Sequence, residues 1–113
     1  DHAPTYFYMG LTYNNQGRYD VAVSSYKKAL KIEPDSAPTL YNLGIAYGGL
    51  GDSKKEVEAF KQAIRVDPDF APAHYNMGLI YLKNSDKAAA LEEYKILKEL
   101  NLEIAEMLFK HIY

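Results

Sequence analysis

Proton transfer or metal binding near neutral pH would depend on three histidines, His2, His74 and His111, because histidine changes charge in this range. These residues are far apart in sequence, no cysteine accompanies them, and no carboxylate stands at ligand spacing from any of them. The chain also lacks a glycine-rich phosphate loop and a nucleophile elbow. The sequence therefore predicts a protein that is not an enzyme and that uses no metal and no cofactor.

The charge balance argues against a nucleic-acid partner. A net charge of −2 provides no long-range field that would attract a phosphate backbone. Basic residues do cluster at Lys27, Lys28 and Lys31 and again at Lys54 and Lys55. Two interpretations of these clusters stay open, a solvated helix face and a patch for an acidic partner.

Hydropathy predicts no membrane span. No apolar run approaches the roughly 18 residues that a spanning helix needs. We expect a soluble protein whose compartment stays open, with the cytoplasm as the first expectation.

A repeat organises the chain. The segment Gly10–Tyr13 returns as Gly44–Tyr47 and as Gly78–Tyr81, at a spacing of 34 residues each time. A fixed period of this length is typical of proteins in which similar structural units stack on one another. Any candidate site must therefore be positioned by equivalent helices of successive repeats.

Each repeat is predicted to contain two helices. Pro4, Pro38 and Pro72 each follow an Asp-x-Ala segment that begins at Asp1, Asp35 or Asp69, and proline suits the first turn of a helix. The first helix runs for about 13 residues to Gly17, Gly51 or the Asn84-Ser85 pair, which are stop signals. The second helices are predicted at 19–32, 53–66 and 87–100.

Large and small side chains alternate on the faces of these helices that are predicted to pack. In the first repeat the first helix presents Tyr6, Met9, Gly10 and Tyr13, and the second helix presents Ala22 and Tyr26. Equivalent positions hold Leu40, Leu43, Gly44, Tyr47 and Phe60, then His74, Met77, Gly78, Tyr81, Ala90, Tyr94 and Leu97. A large side chain facing a small one lets two helices approach closely.

The second repeat departs from this pattern. Glu56 takes the position of Ala22 and Ala90, and Gly48 and Gly49 occupy the last turn of a helix, where each glycine costs about 1 kcal/mol relative to alanine. We expect a local weak point there.

Residues 102–113 resume a helical pattern. Leu102, Ala105, Leu108 and Ile112 share one face, and Glu103, Glu106 and Lys110 lie opposite. The pattern favours a terminal capping helix with a polar outside. A half-repeat of a longer array is the alternative.

These residues resemble the tetratricopeptide repeat (TPR) family over nearly the whole chain. The resemblance implies an all-α fold, a right-handed superhelical solenoid of helix-turn-helix hairpins with seven helices. It places repeat 1 at 3–36, repeat 2 at 37–70, repeat 3 at 71–101 and the capping helix at 102–113, all within one domain, 1–113.

The resemblance further implies that the first helices line a concave groove that binds a partner peptide or protein segment, extended or helical, with apolar side chains. The expected groove residues recur at three positions of each first helix: Phe7, Tyr8, Leu11, Tyr41, Asn42, Ile45, Tyr75, Asn76 and Leu79. The alternative for Leu11, Ile45 and Leu79 is packing between neighbouring helices.

One family ligand is predicted not to bind. TPR domains that hold acidic chaperone tails use a carboxylate clamp, which would need Lys, Asn, Asn, Lys and Arg at positions 7, 11, 42, 72 and 76. The chain has Phe7, Leu11, Asn42, Pro72 and Asn76 instead. Because the cations that would satisfy buried carboxylates are absent, we expect no such clamp.

The predicted function is a non-catalytic protein-interaction scaffold. The first alternative is self-assembly, in which Tyr6, Tyr13 and Val23 of the first repeat dock another copy and form a homo-oligomer. The second alternative is a recruitment domain of a larger enzyme.

Overall fold

The computed structural model describes residues 2–113, and within them the chain forms seven α-helices and no strand. The helices are α1 (Ala3–Asn15), α2 (Tyr19–Ile32), α3 (Ala37–Gly49), α4 (Ser53–Val66), α5 (Ala71–Lys83), α6 (Lys87–Leu100) and α7 (Leu102–Ile112). This result confirms the all-α prediction and the bounds of the three second helices. Asp1, which belongs to the first predicted helix start, lies outside the described residues.

The helix starts use proline and side-chain caps. Pro4, Pro38 and Pro72 lie in the first turn of α1, α3 and α5, as predicted. The second helices α4 and α6 are capped instead by the preceding residues Asp52 and Asp86, whose carboxylates accept from the N–H groups of Lys55 (3.2 Å) and Ala89 (3.1 Å). Asn101 caps α7 in the same way.

The turns inside the repeats require a left-handed residue. Gly17 and Gly51 have φ of 75° and 79°, which glycine adopts without steric cost. Ser85 takes the equivalent place in the third repeat with φ of 61°. The predicted stop signals are therefore confirmed, although the third one keeps a side chain in a conformation that favours glycine.

The chain packs as two compact units, one that ends at Asp67 and one that runs from Pro68 to Tyr113. The core of the first unit combines α2 and α3, with Val23 and Tyr26 against Leu43 and Tyr47. Val23 is thus buried toward the second repeat, which corrects its predicted place on an outward-facing docking surface.

Large aromatic rings pack over two helix glycines of the first unit. The ring of Tyr26 covers Gly10, and a Cβ atom at Gly44 would lie 2.7 Å from Cε1 of Phe60. The predicted pairing of a ring with a small residue is therefore confirmed in both repeats of this unit. Because each ring is fully buried, an added methyl group would force a buried side chain to move.

The two glycines at the end of α3 have a packing role. A Cβ atom at Gly49 would come within 2.6 Å of the ring of Tyr19, and a Cβ atom at Gly48 would collide with the carboxylate of Glu56. Gly48 therefore provides the space that Glu56 needs in a position where other repeats hold alanine. Two of the departures noted in the sequence, Glu56 and Gly48, therefore accommodate each other.

The second unit packs α7 against α5 and α6 around Leu97, Ala105 and Leu108. Leu102 differs from the prediction for the packing face of α7. It is 57% exposed, whereas Ala105 and Leu108 of the same predicted face are buried. Leu102 is the first residue of α7, so it precedes the turn that contacts the core. Partly buried Ile104 packs against this core instead.

Candidate partner-binding surface

The first helix presents an aromatic pair at its N-terminal half. Phe7 and Tyr8 have ring centroids 5.3 Å apart in an edge-to-face arrangement with an interplanar angle of 76°. Phe7 is held from behind by buried Tyr26, with centroids 6.1 Å apart. Tyr8 is 64% exposed. The pair therefore combines an anchored ring with one that is open to solvent.

Phe7 and Tyr8 line a pocket between the beginnings of α1 and α3, which we call the proline pocket. Its volume is about 230 Å³. Two prolines, Pro4 and Pro38, contribute to its walls, and the remaining lining residues are Ala3, Ala29, Glu33, Ser36 and Thr39. Aromatic and proline walls of this kind suit an apolar side chain of a ligand.

Two polar residues that line the proline pocket, Ser36 and Thr39, are hydrogen-bonded to each other. Ser36 Oγ lies 2.8 Å from Thr39 Oγ1 and also accepts from the N–H of Thr39 at 3.3 Å. These bonds cap α3 and hold the rim in place. The pocket is thus formed before any ligand arrives.

The other predicted groove residues of the first unit are half-buried. Leu11 packs against the core of α2 and α3, and the ring of Tyr41 lies 5.5 Å from that of Phe60. Asn42 Nδ2 donates to the carbonyl oxygen of Pro38 at 2.8 Å, which directs the amide along α3. Ile45 is also half-buried.

The predicted groove residues of the second unit contribute to its packing. Tyr75 and Leu79 of α5 pack against the cluster of Leu97, Ala105 and Leu108. Asn76, on the same helix, is half-buried. In this unit the α7 cluster covers part of the aromatic and aliphatic surface of α5.

One polar pair was missed by the sequence reasoning. His74 and Glu93 are both buried, with His74 Nδ1 3.0 Å from Glu93 Oε1. His74 Nε2–H also donates to the carbonyl oxygen of Pro68 at 2.6 Å. A signal was present in the repeat: positions equivalent to Glu93 hold buried Ser25 and Ala59, so histidine and glutamate both replace less polar residues in one repeat.

This arrangement favours a protonated imidazole. The Pro68 carbonyl can only accept, so Nε2 must carry a proton, and a carboxylate at Nδ1 requires a second one. The hydrogen bond that His74 donates to Glu93 raises the pKa of His74, and burial lowers it. The hydrogen bond to the Pro68 carbonyl and the charges of Glu93 and Asp69 raise it further, and the net result is a pKa above 6.5. The pair joins α5 to α6 and to the turn before α5.

Two buried polar atoms have no hydrogen-bond partner among the described residues, the hydroxyl of Tyr26 and Oδ1 of Asn14. Burial raises the pKa of the Tyr26 hydroxyl to about 12. The equivalent ring of the second repeat is Phe60, which fills the same kind of space without a polar atom.

Residues 2–113 contain neither a metal-binding cluster nor a membrane-spanning helix. No group of three or more His, Cys, Asp or Glu side chains in this range has an arrangement that would hold a metal ion. None of the helices in the same range combines the length and the apolar character needed to cross a bilayer.

Comparisons with known families and structures agree with this fold. A family model described as TPR repeat matches residues 10–51 and 57–85, and a second, described as tetratricopeptide repeat, matches 37–70. A comparison with curated protein sequences found no match.

Solved structures share the arrangement at low sequence identity. The Sgt2 TPR domain from Aspergillus fumigatus is 23% identical with a TM-score of 0.87, over 99% of this chain and 77% of that one. The P58(IPK) TPR domain is 21% identical with a TM-score of 0.87, over 98% of this chain and 33% of that one.

A third similar structure is the first TPR of Spaghetti (RPAP3), bound to the HSP90 peptide SRMEEVD. It is 23% identical with a TM-score of 0.84, over 96% of this chain and 91% of that one. The family match agrees with the 34-residue repeat of the sequence and with the seven helices of residues 2–113. The chain belongs to the tetratricopeptide repeat family and has its all-α solenoid fold.

Proposed function

We propose that this chain is a non-catalytic scaffold that binds an apolar segment of a partner protein on the faces of its first helices. The proposed contact residues are those predicted from the sequence: Phe7, Tyr8, Leu11, Tyr41, Asn42, Ile45, Tyr75, Asn76 and Leu79. The strongest contact is assigned to Tyr8 and the proline pocket. The observation that carries the proposal is the exposed Tyr8 ring beside a preformed apolar pocket that Phe7 shares.

The physical basis is preorganisation. Tyr8 loses little conformational freedom on binding because tyrosine has two side-chain torsions and its ring already rests against Phe7. A proline or aliphatic side chain of a partner would displace water from the pocket walls. Exposed tyrosines beside a pocket are the usual material of binding hot spots.

The proposed ligand is not an acidic chaperone tail. The first TPR of Spaghetti (RPAP3) holds the HSP90 peptide SRMEEVD. In this chain Phe7 and Leu11 are half-buried and pack against the core, and Pro72 lies in the first turn of α5. Apolar residues at these positions provide no cation for a ligand carboxylate.

A selection from a random peptide display library tests the proposal. We expect enriched peptides to contain proline and aliphatic residues. Tyr8→Ala should weaken the binding of a fluorescein-labelled enriched peptide by about tenfold or more, which is about 1.4 kcal/mol. Tyr113→Ala is the matched control, because Tyr113 is equally exposed but belongs to the second unit.

Two outcomes would contradict the proposal. Equal losses in Tyr8→Ala and Tyr113→Ala would show that binding does not use the proline pocket. Binding of the SRMEEVD peptide itself, measured in the same assay, would overturn the exclusion of acidic tails.

Self-assembly is a second candidate, favoured by Met9. Met9 is 38% exposed, whereas Leu43 and Met77 at equivalent positions are 6% and 2% exposed. Leu43 of α3 is covered by the preceding helix, α2. Within residues 2–113 no helix precedes α1 to cover Met9 in the same way. Light scattering over a range of concentrations tests this candidate. Assembly that Met9→Glu abolishes would support it, and a strict monomer would remove it.

A further inference from the structure

Basic residues are concentrated on α2 and α4. These two helices hold seven of the 13 basic side chains of the chain and only three of its 15 acidic ones. Seven positive minus three negative charges leave +4 on two helices of a chain whose net charge is −2. The two helices together therefore have the opposite sign to the protein as a whole. We call their exposed basic side chains the α2–α4 surface: Lys27, Lys28, Lys31, Lys54, Lys55, Lys61 and Arg65.

Two of these lysines converge on one ring. Lys27 of α2 and Lys55 of α4 place their Nζ atoms 5.9 and 5.6 Å from the ring centroid of Tyr47. They line a cleft of about 220 Å³ together with Glu58 and Gln62. We call Lys27, Tyr47, Lys55, Glu58 and Gln62 the basic cleft. It shares no lining residue with the proline pocket.

The electrostatics of the basic cleft favour an anion. Lys27 and Lys55 have no ion pair with any described residue and face the buried Tyr47 ring instead. The ring attracts both cations through its face, but it does not neutralise them. Glu58 is the one acid among the lining residues, so two positive charges oppose one negative charge. Both lysines line the cleft, and ammonium groups donate charge-assisted hydrogen bonds to carboxylates.

The same surface continues along α2. Lys27 also lines a shallow depression with Lys28 and Lys31, whose only acidic member among the described residues is Asp20. A ligand that enters the basic cleft can therefore place further negative groups beside additional lysines. This continuity favours a ligand with several carboxylates over a single small anion.

The charge distribution also limits the class of ligand. The rest of the chain carries six of the 13 basic and 12 of the 15 acidic side chains, which is a net charge of −6. A nucleic acid or an anionic membrane presents an extended negative charge, which the net negative charge of the chain disfavours. A short acidic segment meets only the α2–α4 surface.

We propose that the α2–α4 surface docks an acidic segment of a partner protein, with one carboxylate of that segment between Lys27 and Lys55.

A labelled peptide that repeats Glu-Glu-Leu four times is the probe. We expect it to bind the wild-type chain, to lose affinity as salt rises, and to bind Lys27→Ala with Lys55→Ala about tenfold more weakly. The matched control is Lys83→Ala with Lys110→Ala, which removes the same charge from exposed lysines of the second unit. We expect this control to keep most of the binding.

Several outcomes would overturn the proposal: no binding of the acidic peptide, equal losses in the two double variants, or equally strong binding of a Gln-Gln-Leu peptide. Tighter binding of single-stranded DNA or of phosphatidylserine vesicles through Lys27 and Lys55 would also overturn it, in favour of another class of ligand. Circular dichroism confirms folding of each variant. Tyr8→Ala should leave acidic-peptide binding unchanged, so this proposal and the proposed function fail independently.

Discussion

Leu108 of α7 lies over Gly78 of α5, so closely that a Cβ atom at Gly78 would come within 2.6 Å of Leu108 Cδ2. In the first two repeats the equivalent glycines are covered by rings of their own second helices, Tyr26 and Phe60. The equivalent ring of the third repeat, Tyr94, is half-buried and lies 5.4 Å from Phe109 instead. In the third repeat, therefore, α7 and not the second helix α6 supplies the side chain that covers the glycine.

Truncation of the Leu108 side chain should therefore lower the stability of the second unit. Leu108→Ala removes a fully buried side chain, and we expect a loss of about 2 to 5 kcal/mol in the free energy of unfolding. Leu102→Ala on the same helix is the control, because Leu102 is exposed and its truncation should change stability by about 0.5 kcal/mol or less. Urea unfolding followed by circular dichroism measures both. Similar losses in the two variants would contradict the role of Leu108.

Removal of the Tyr26 hydroxyl should stabilise the first unit. The hydroxyl is buried without a partner among the described residues, and an unsatisfied buried polar group costs about 1 to 3 kcal/mol. We expect Tyr26→Phe to raise the free energy of unfolding by about 1 kcal/mol. The reciprocal change Phe60→Tyr should lower it, since Phe60 is equally buried. A loss of stability in Tyr26→Phe would show that the hydroxyl has a partner.

Ser85 offers a backbone test. Its φ of 61° lies in the left-handed region, where a residue with a side chain costs about 1 kcal/mol more than glycine. Ser85→Gly should therefore raise the melting temperature, and Gly51→Ser, which makes the opposite change at an equivalent turn, should lower it. Differential scanning calorimetry measures both shifts. A lower melting temperature for Ser85→Gly would mean that the serine side chain stabilises the turn.

The His74–Glu93 pair should make stability depend on pH. The pKa of His74 is raised in the folded chain, chiefly by its hydrogen bond to Glu93, above the ordinary value of 6.5. A raised pKa contributes stability that is fully present below 6.5 and is lost as pH rises through the folded value. We therefore expect the contribution of this pair to the free energy of unfolding to be complete below pH 6.5 and to be lost as pH rises above it through the raised pKa of His74.

The control for this pH dependence is Glu93→Gln. It removes the carboxylate that raises the pKa of His74, while burial, which lowers the pKa, remains. His2 and His111 are present in both proteins, so the difference between the two profiles isolates the His74–Glu93 pair. Urea unfolding at several pH values measures the profiles. Parallel profiles in wild type and Glu93→Gln would contradict the assignment.

The candidate surface was predictable only in part. The positions of Phe7 and Tyr8 on one helix follow from the repeat, but the pocket beside them also needs Pro38 and Thr39 of the next repeat. Which side chains remain exposed depends on neighbouring helices, as Met9 and Leu43 show at equivalent positions. The basic cleft likewise requires side chains of α2 and α4 to lie near the Tyr47 ring of α3.

Local chemistry determined the helices of this protein. Proline restricts the first turns, glycine permits the left-handed turn residues, and the period of 34 residues repeats both signals, so sequence alone predicted the family and the helix bounds. Only the tertiary structure decided which side chain covers each helix glycine and which side chains remain exposed. Leu108 over Gly78, His74 beside Glu93 and Glu56 against Gly48 are contacts between different helices. Their partners depend on how those helices pack, which the spacing of residues along any one helix does not specify.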